Sequence, residues 1–459
     1  MINKSKLKES SKTLELEKRK TTFEEVEQTF DDQSALKESL RCLGCKKPPC
    51  VQGCPVGIDI PGFINCVSQG RIAEAYETIH KDNFLPSICG RVCPQETQCE
   101  ARCIRGKSGE PVAIGKLERY VADKQLNFSK PECKNKSKGK IAIVGSGPSG
   151  LTCAARLSHL GYQADIFEAL HVPGGVLAYG IPAFRLPRKI LESEIENLKS
   201  MGVRIFTNVV IGKTFSLDNL FEKGYKAVYI ATGAGLPKFM NIPGEGLCGI
   251  YSANEFLTRI NLMNAHREEY DTPINKSKNL IVIGGGNVAM DVARCALRLG
   301  TQRVTVVYRR TEAEMPARKD EILHAKEEGI DFIFSAAPVE FIGENGKLKS
   351  LRYVKMKSIE DPCGKPKLVP IEGETFELEA DAAIISIGNE ANRVLVESEE
   401  SLDTKPNGRI IADEFTTQTS RKYVYAGGDA VTGAATVILA MQAGKRAAEQ
   451  IDKDLSKVE

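Results

Sequence analysis

Nine of the fourteen cysteines fall between Cys42 and Cys103. The first set is Cys42, Cys45, Cys50 and Cys54 followed by Pro55; the second is Cys89, Cys93 followed by Pro94, Cys99 and Cys103. A close run of cysteines ending in Cys-Pro is the pattern of [4Fe-4S] sites, in which the last cysteine of a run often serves the other cluster. Zinc usually wants paired C-x-x-C knuckles, and only Cys42 and Cys45 form one. Disulfides belong to oxidising compartments, whereas the N-terminus here alternates charges and carries no apolar leader. Two iron-sulfur clusters are therefore expected. Cys66, Cys133, Cys153, Cys248, Cys295 and Cys363 stand alone and are expected to behave as small hydrophobes.

Two glycine loops could hold dinucleotides. Gly145, Gly147 and Gly150 match G-x-G-x-x-G directly after an apolar strand, which allows a sharp turn and close backbone approach to a pyrophosphate at a helix N-terminus. Glu168, at the end of the next strand, suits a ribose 2′-hydroxyl and would repel a 2′-phosphate, pointing to FAD or NAD. In the second loop Gly284, Gly286, Asn287 and Ala289 fill the pattern, and the acid's place is taken by Arg309 and Arg310. Two guanidinium groups suit a 2′-phosphate, so this unit is expected to take NADP(H); the competing reading pairs them with Glu312 or Glu314 on a solvated face. No C-x-x-C lies in either unit, which removes the redox disulfide of a thioredoxin-reductase-like enzyme.

The elements that must position these residues follow from periodicity. IAIVGSGPSGLTCAARLSHLGYQADIFEA reads strand, glycine turn, helix, strand, and the same unit recurs from residue 279 to 310. VYIATGA ends an apolar strand in small residues, with Thr232 and Gly233 able to let a cofactor approach. Near the C-terminus YVYAGGDAVTGAATVILAMQAGKRAAEQI reads strand, glycine-rich turn, Gly428, Asp429, then a long helix, whose N-terminus would stabilise negative charge on a reduced flavin. Because that segment completes the first unit, the NADP unit is an insertion within the FAD unit. The expected division is a helical cluster domain over 1–135, an FAD domain over 136–245 and 376–459, and an NADP(H) domain over 246–375. The fold class is α/β with an all-α N-terminal iron-sulfur domain and two Rossmann-like domains. Residues 1 to about 40 read as polar and partly helical, with TFEEVEQTF as a solvated helix.

Bulk properties exclude more than they specify. With 459 residues, 42% of them hydrophobic, the chain is too long for one ordinary core. A charge of +3 from 63 basic and 60 acidic residues makes no case for nucleic acid. No apolar run reaches the roughly 20 residues of a membrane span, so a cytoplasmic protein is expected.

The motifs CLGCKKPPCVQGCPVGIDIPGFI, CGRVCPQETQCEARC, GKLERYVAD, GGVLAYGIPAFRLP, GGGNVAMDVAR, EMPARKDEI and GGDAVTGAATV together resemble one family. It is that of the small (β) subunit of NADPH-dependent glutamate synthase. Its relatives include the larger subunit of the bifurcating NADH-dependent ferredoxin:NADP oxidoreductase and the N-terminal half of dihydropyrimidine dehydrogenase. The resemblance runs from about Cys42 to the C-terminus. It implies one cluster on Cys42, Cys45, Cys50 and Cys103, and another on Cys54, Cys93, Cys99 and a non-cysteine ligand, here Glu118. The matching ligand is a glutamine in dihydropyrimidine dehydrogenase and a glutamate in the bifurcating enzyme. Without the family, Glu118 reads as a surface acid on the helix LERYVADKQ. Cys89 has no ligand role in this scheme and is expected to pack beside a cluster. Gly175, Gly180 and Asp429 are expected near the flavin. The chain departs from the family at Ala178, often an arginine, and at Gly57, often a histidine in glutamate synthase β subunits.

The implied activity is electron transfer between NADPH and a partner through FAD and the clusters, with no catalytic acid or nucleophile required. The partner is a synthase subunit or, on the second reading, ferredoxin or another flavoprotein, and an oligomer is expected. A nucleotide-binding module without flavin turnover is the reading from another class.

Overall fold

The computed structural model describes residues 3–126, 136–360 and 366–457. Cys133 and Cys363 lie outside them. The strand Lys140–Val144 is buried along almost its whole length, the continuous apolar run of a parallel sheet covered on both faces. It sits at the centre of five parallel strands in the order Val424–Ala426, Tyr225–Ile230, Lys140–Val144, Gln163–Phe167, Arg204–Phe206. A second parallel sheet has the order Ile250–Ser252, Ala382–Ile385, Asn279–Ile283, Arg303–Val307, Asp331–Ile333. All of it lies in sequence between the fourth and last strands of the first sheet, so one Rossmann-like unit is inserted in the other.

The strand Ala382–Ile385 belongs to the inserted sheet, which therefore runs past the expected boundary at 375. The chain crosses between the units at Leu236–Pro237 and Asn389–Glu390, and these segments pair antiparallel, side by side. A three-stranded antiparallel sheet, Ala336–Glu344, Lys347–Glu360 and Pro366–Glu379, is an addition to the inserted unit that the motifs did not announce.

Short helices, Pro49–Gly53, Ile60–Ser68, Ile72–His80, Pro86–Val92 and Ile114–Gln125, frame the cysteines, of which Cys50, Cys66 and Cys89 lie within them and the others in the loops around them. Their core is continuous with that of the first sheet, Phe63, Ile88 and Leu117 joining one cluster with Ile143, Met441 and Ile451. The expected helix over TFEEVEQTF is absent. That segment is an extended strap: Val26 and Phe30 are buried, and the Val26 N–H donates to the Phe184 carbonyl at 3.0 Å. Contacts between units override helix propensity there.

The strap meets a buried polar joint. Phe184, on the loop before the helix Arg188–Ser200, lies under two guanidinium groups of the inserted unit, Arg294 at 4.6 Å and Arg298 at 4.1 Å from its ring centre. Next to it Arg185 donates to both oxygens of Asp291 at 2.9 and 2.8 Å and lies 3.1 Å from Glu321. No helix among the described residues is long and apolar enough to cross a membrane.

Candidate redox-cofactor sites

Four of the predicted ligands share one pocket. Cys42, Cys45, Cys50 and Cys103 line it together with Pro49, Ile60, Ile64, Val112 and Ile114. Cys103 arrives from the far end of the unit because it caps the turn Glu100–Arg102, which packs on the helix that carries Cys50. Arg41, next to Cys42, is fully buried; it pairs with Glu38 at 2.7 Å and donates to the Pro111 and Glu110 carbonyls, clamping the base of the loop. Every described cysteine is a free thiol. Burial pushes Cys50 up to about 12 and also raises Cys42, so these two favour the neutral thiol until a metal binds. Among the described residues no three such side chains converge tightly enough for a single metal ion. The pocket's spread of four thiols fits a polynuclear cluster, which would take them as thiolates.

Cys54, Cys93, Cys99 and Glu118 form the second constellation. Burial raises Cys54 to about 11 and raises Cys99, and Glu118 adds to both shifts. Cys93 is raised by its hydrogen bond with Cys89, by burial and by Glu118. Glu118 is 6% exposed and has no ion-pair partner among the described residues. Burial pushes its carboxyl up to about 8 against a hydrogen bond from Asn83 Nδ2 at 2.7 Å. A buried acid facing three thiols with no cation to match it fits a site completed by iron, whose charge would replace the missing cation. Cys89 stands at the edge of this group, its sulfur 3.4 Å from the Met441 sulfur. Asn83, fully buried and also accepting from the Leu85 N–H, orients Glu118; nothing in its sequence surroundings marks it.

In the first glycine loop the three glycines do different work. Gly145 has φ +103° and a Cβ there would lie 2.4 Å from the Ala231 carbonyl oxygen; at Gly150 it would lie 2.0 Å from the Gly145 oxygen. Those two are required by the fold. Gly147 has an ordinary φ of −67° and a Cβ there meets no protein atom within 4 Å. That is a cradle shaped for something other than protein, at the N-terminus of the helix Pro148–Leu160. Glu168 is buried and accepts from the Ser146 N–H at 2.9 Å, from the Ser146 hydroxyl, and from the Leu170 N–H at 2.8 Å, which fixes its carboxylate at the loop.

Gly175 packs on Gly147, where its own Cβ would lie 2.9 Å from the Gly147 Cα. Gly428 approaches Ser149, and Thr232 and Gly233 follow the strand beside Gly145. Gly180 ends the helix Val176–Tyr179 and its crowding is with Val176, one helical turn away from the loop. Asp429 is pushed up to about 6 by burial. Tyr179, missed in the sequence, lies within electrostatic reach of both Asp429 and Glu168; burial, then those acids, push its hydroxyl up to about 12.

The second loop repeats the logic. Gly284 has φ +143° with a Cβ 2.2 Å from the Ser386 oxygen, and Gly285 is closed by the Tyr308 ring, while a Cβ at Gly286 meets nothing. Asn287 opens the helix Asn287–Arg298, and Ala289 is fully buried within it. Arg309 and Arg310 follow the strand whose last carbonyl, that of Val307, accepts from the Gly284 N–H. Both are exposed, with no ion-pair partner among the described residues. The acids nearby make other contacts: Glu312 pairs with Lys326 at 2.6 Å, and Glu314 closes a capping box on Thr311 while also feeling the Arg310 charge.

One helix joins the flavin-type loop to the cysteines. Val437–Leu455 packs on Pro148–Leu160 so closely that a Cβ on Gly444 would lie 2.1 Å from the Ser149 oxygen. From its other face Gln442 donates to the Pro55 carbonyl, Lys445 to the Val56 carbonyl at 2.9 Å, and Met441 reaches Cys89.

Known proteins align with these two halves. Residues 19–130 match the family described as dihydropyrimidine dehydrogenase domain II, 4Fe-4S cluster, and residues 139–444 match the pyridine nucleotide-disulphide oxidoreductases. The small chain of NADPH glutamate synthase from Escherichia coli K12 is 35% identical, over 94% of this chain and 94% of its own length. The β subunit of the NADP(+)-dependent formate dehydrogenase of Moorella thermoacetica is 38% identical over 89% of this chain, which spans 60% of that relative. Mycobacterium tuberculosis FprA in complex with NADPH superposes with a TM-score of 0.59 at 22% identity, over 70% of this chain and 85% of FprA, a likeness of fold. With half-buried thiol sets in its N-terminal third and two ligand-shaped glycine cradles behind them, the chain belongs to the family of NADPH glutamate synthase small chains, iron-sulfur flavoprotein oxidoreductases whose cofactors are FAD, NADP(H) and [4Fe-4S] clusters.

Proposed function

We propose that this chain is the NADPH-handling subunit of a glutamate-synthase-type enzyme, delivering electrons to a synthase partner. The observation that carries it is the helix Val437–Leu455, which contacts the FAD-type loop on one side and the Cys54–Pro55 and Cys89 segments on the other. When bound, the nicotinamide, flavin and clusters supply hydride transfer and one-electron chemistry. The chain supplies placement. Gly147 and Gly286 leave room for pyrophosphates, Glu168 faces a ribose, and Arg309 and Arg310 hold a 2′-phosphate. Cys42, Cys45, Cys50 and Cys103 hold one cluster; Cys54, Cys93, Cys99 and Glu118 hold the other. Burial shifts both Asp429 and Tyr179 toward their protonated forms, which leaves the Tyr179 hydroxyl neutral beside the Asp429 carboxyl on the flavin side.

Anaerobic reconstitution tests this reading. The expected product binds flavin, carries about eight iron atoms per chain for two [4Fe-4S] clusters, reduces dyes with NADPH and copurifies with a large synthase chain. A loaded protein that reduces no dye would be a binding module instead. One observation favours a ferredoxin:NADP oxidoreductase as the second reading. Lys46, Lys47, Arg102 and Lys107 stand exposed and without ion-pair partners among the described residues, around the pocket that Leu43 and Ile104 leave partly open. That rim complements an acidic electron carrier. Copurification with a small flavin subunit or a ferredoxin, in place of a synthase chain, would select it.

A further inference from the structure

We propose that Arg318 is a positioning residue that couples occupancy of the second glycine loop to the potential of the cluster held by Cys93. The inference rests on the NADP(H) and cluster assignments above and adds a regulatory link between them.

Arg318 is tied to the nucleotide loop through its backbone. Its N–H donates to Asn287 Oδ1 at 2.9 Å, and the preceding Ala317 N–H donates to the Gly285 carbonyl at 3.2 Å. Its side chain reaches across to the cluster unit, with Nη2 also 3.6 Å from Asp320 of the inserted unit. Nη1 donates to the Arg91 carbonyl and Nη2 to Gln95 Oε1, each at 3.0 Å. Arg91 and Gln95 flank Cys93 at equal distance along the chain, so one guanidinium grips both sides of a cluster ligand. Gln95 is itself buried and donates back to the Cys89 and Gly90 carbonyls at 3.3 and 3.4 Å. Glu96 completes the junction, accepting from the Lys319 N–H at 3.3 Å and lying 3.5 Å from Arg318 Nε. The Arg318 side chain is 10% exposed, so its charge acts through protein more than through water.

A cation in that position serves two anions. Reduction adds one electron, supplied in a titration by dithionite, and therefore one negative charge beside Cys93. Nucleotide binding brings phosphate charge to the loop that holds the Arg318 backbone. Each draws on the same guanidinium, so each weakens the other, and linkage makes the effect reciprocal. Bound nucleotide lowers the potential of the Cys93 cluster, and the reduced cluster loosens the nucleotide.

The test uses 2′,5′-ADP, which offers both phosphates and has no nicotinamide to react. EPR-monitored redox titrations of the loaded protein, with and without saturating 2′,5′-ADP, should show the Cys93 cluster shifted by a coupling of about fivefold, or about 40 mV at about 59 mV per tenfold for one electron. The cluster on Cys42, Cys45, Cys50 and Cys103 should not move. In Arg318→Gln the nucleotide-dependent shift should disappear and the resting potential of the same cluster should fall; Arg318→Lys, which keeps the charge without the planar fork, should restore part of that resting potential. If Arg318→Gln does not load its clusters, Gln95→Met, which removes one acceptor of the fork and keeps the charge, should weaken the nucleotide-dependent shift. A wild-type potential indifferent to bound 2′,5′-ADP, or an undiminished shift in Arg318→Gln, overturns the coupling alone. Failure of 2′,5′-ADP to bind overturns the nucleotide assignment and the coupling with it.

Discussion

Gly147→Ala separates a glycine kept for a ligand from one kept for the fold. At position 147 the backbone already lies in a region open to alanine, and the added methyl meets no protein atom within 4 Å. Replacement should leave the flavin-free fold unharmed or stabilise it by about 0.4–1 kcal/mol, the usual gain from restricting the unfolded chain. The methyl does, however, occupy the space through which a pyrophosphate would reach the N–H groups of the helix Pro148–Leu160. Loss of one hydrogen bond to a charged acceptor costs about 1.5–3 kcal/mol, or about 10- to 150-fold in FAD affinity. Gly145→Ala should do the opposite: with φ +103° and a methyl 2.4 Å from a carbonyl oxygen, it should destabilise the fold by about 1–3 kcal/mol. The assay is equilibrium flavin binding by fluorescence beside thermal melts of the flavin-free protein. Gly147→Ala that melts as early as Gly145→Ala, or that retains wild-type FAD affinity, refutes the reasoning.

Three further outcomes follow from the site geometry. Glu118→Ala or Glu118→Cys should change the EPR signal and midpoint potential of one cluster and leave the other as it is, because Glu118 acts on Cys54, Cys93 and Cys99, with Cys89 beside them, and not on Cys42 or Cys50; unchanged potentials in both clusters would falsify its ligand role. Arg309→Ala combined with Arg310→Ala should raise KM for NADPH about tenfold or more, one charge-assisted contact being about 1.5–3 kcal/mol, with the KM for NADH unmoved; an equal rise for both cofactors counts against 2′-phosphate recognition. His80 stacks on Tyr76 and meets Phe84 edge-on, and burial lowers it to about 4. Its depressed value means the unfolded chain binds the extra proton, so the stability it contributes is full above pH 6.5 and is lost as the pH falls toward 4, by at most about 3 kcal/mol. Melts of His80→Phe between pH 7 and 4 should show a shallower slope than wild type.

Both glycine loops were legible because their signal is local: strand, turn and helix follow one another within thirty residues, and the acid or the arginines end the next strand. The cysteines announced iron by type and crowding. Their partition was not legible from spacing, since Cys103 reaches the pocket of Cys42, Cys45 and Cys50 only through tertiary packing, and the family resemblance supplied it. Asn83 lies outside the motifs, and Tyr179 and Arg318 lie within GGVLAYGIPAFRLP and EMPARKDEI without a role to read there, because the groups each one meets come from distant segments of the chain. The strap over residues 22–30 misled for the same reason: its charges alternate like a solvated helix, yet Val26 and Phe30 are held between units.

The side-by-side crossings at Leu236–Pro237 and Asn389–Glu390 set the order in which the protein can be completed during synthesis. All five strands of the inserted sheet leave the ribosome before Val424–Ala426, the edge strand that finishes the enclosing sheet. The inserted unit can close while its host still lacks an edge and the helix Val437–Leu455. The FAD-type loop is then the later of the two nucleotide loops to be completed, and a ribosome stalled shortly before residue 424 would display a finished nucleotide unit on an open host.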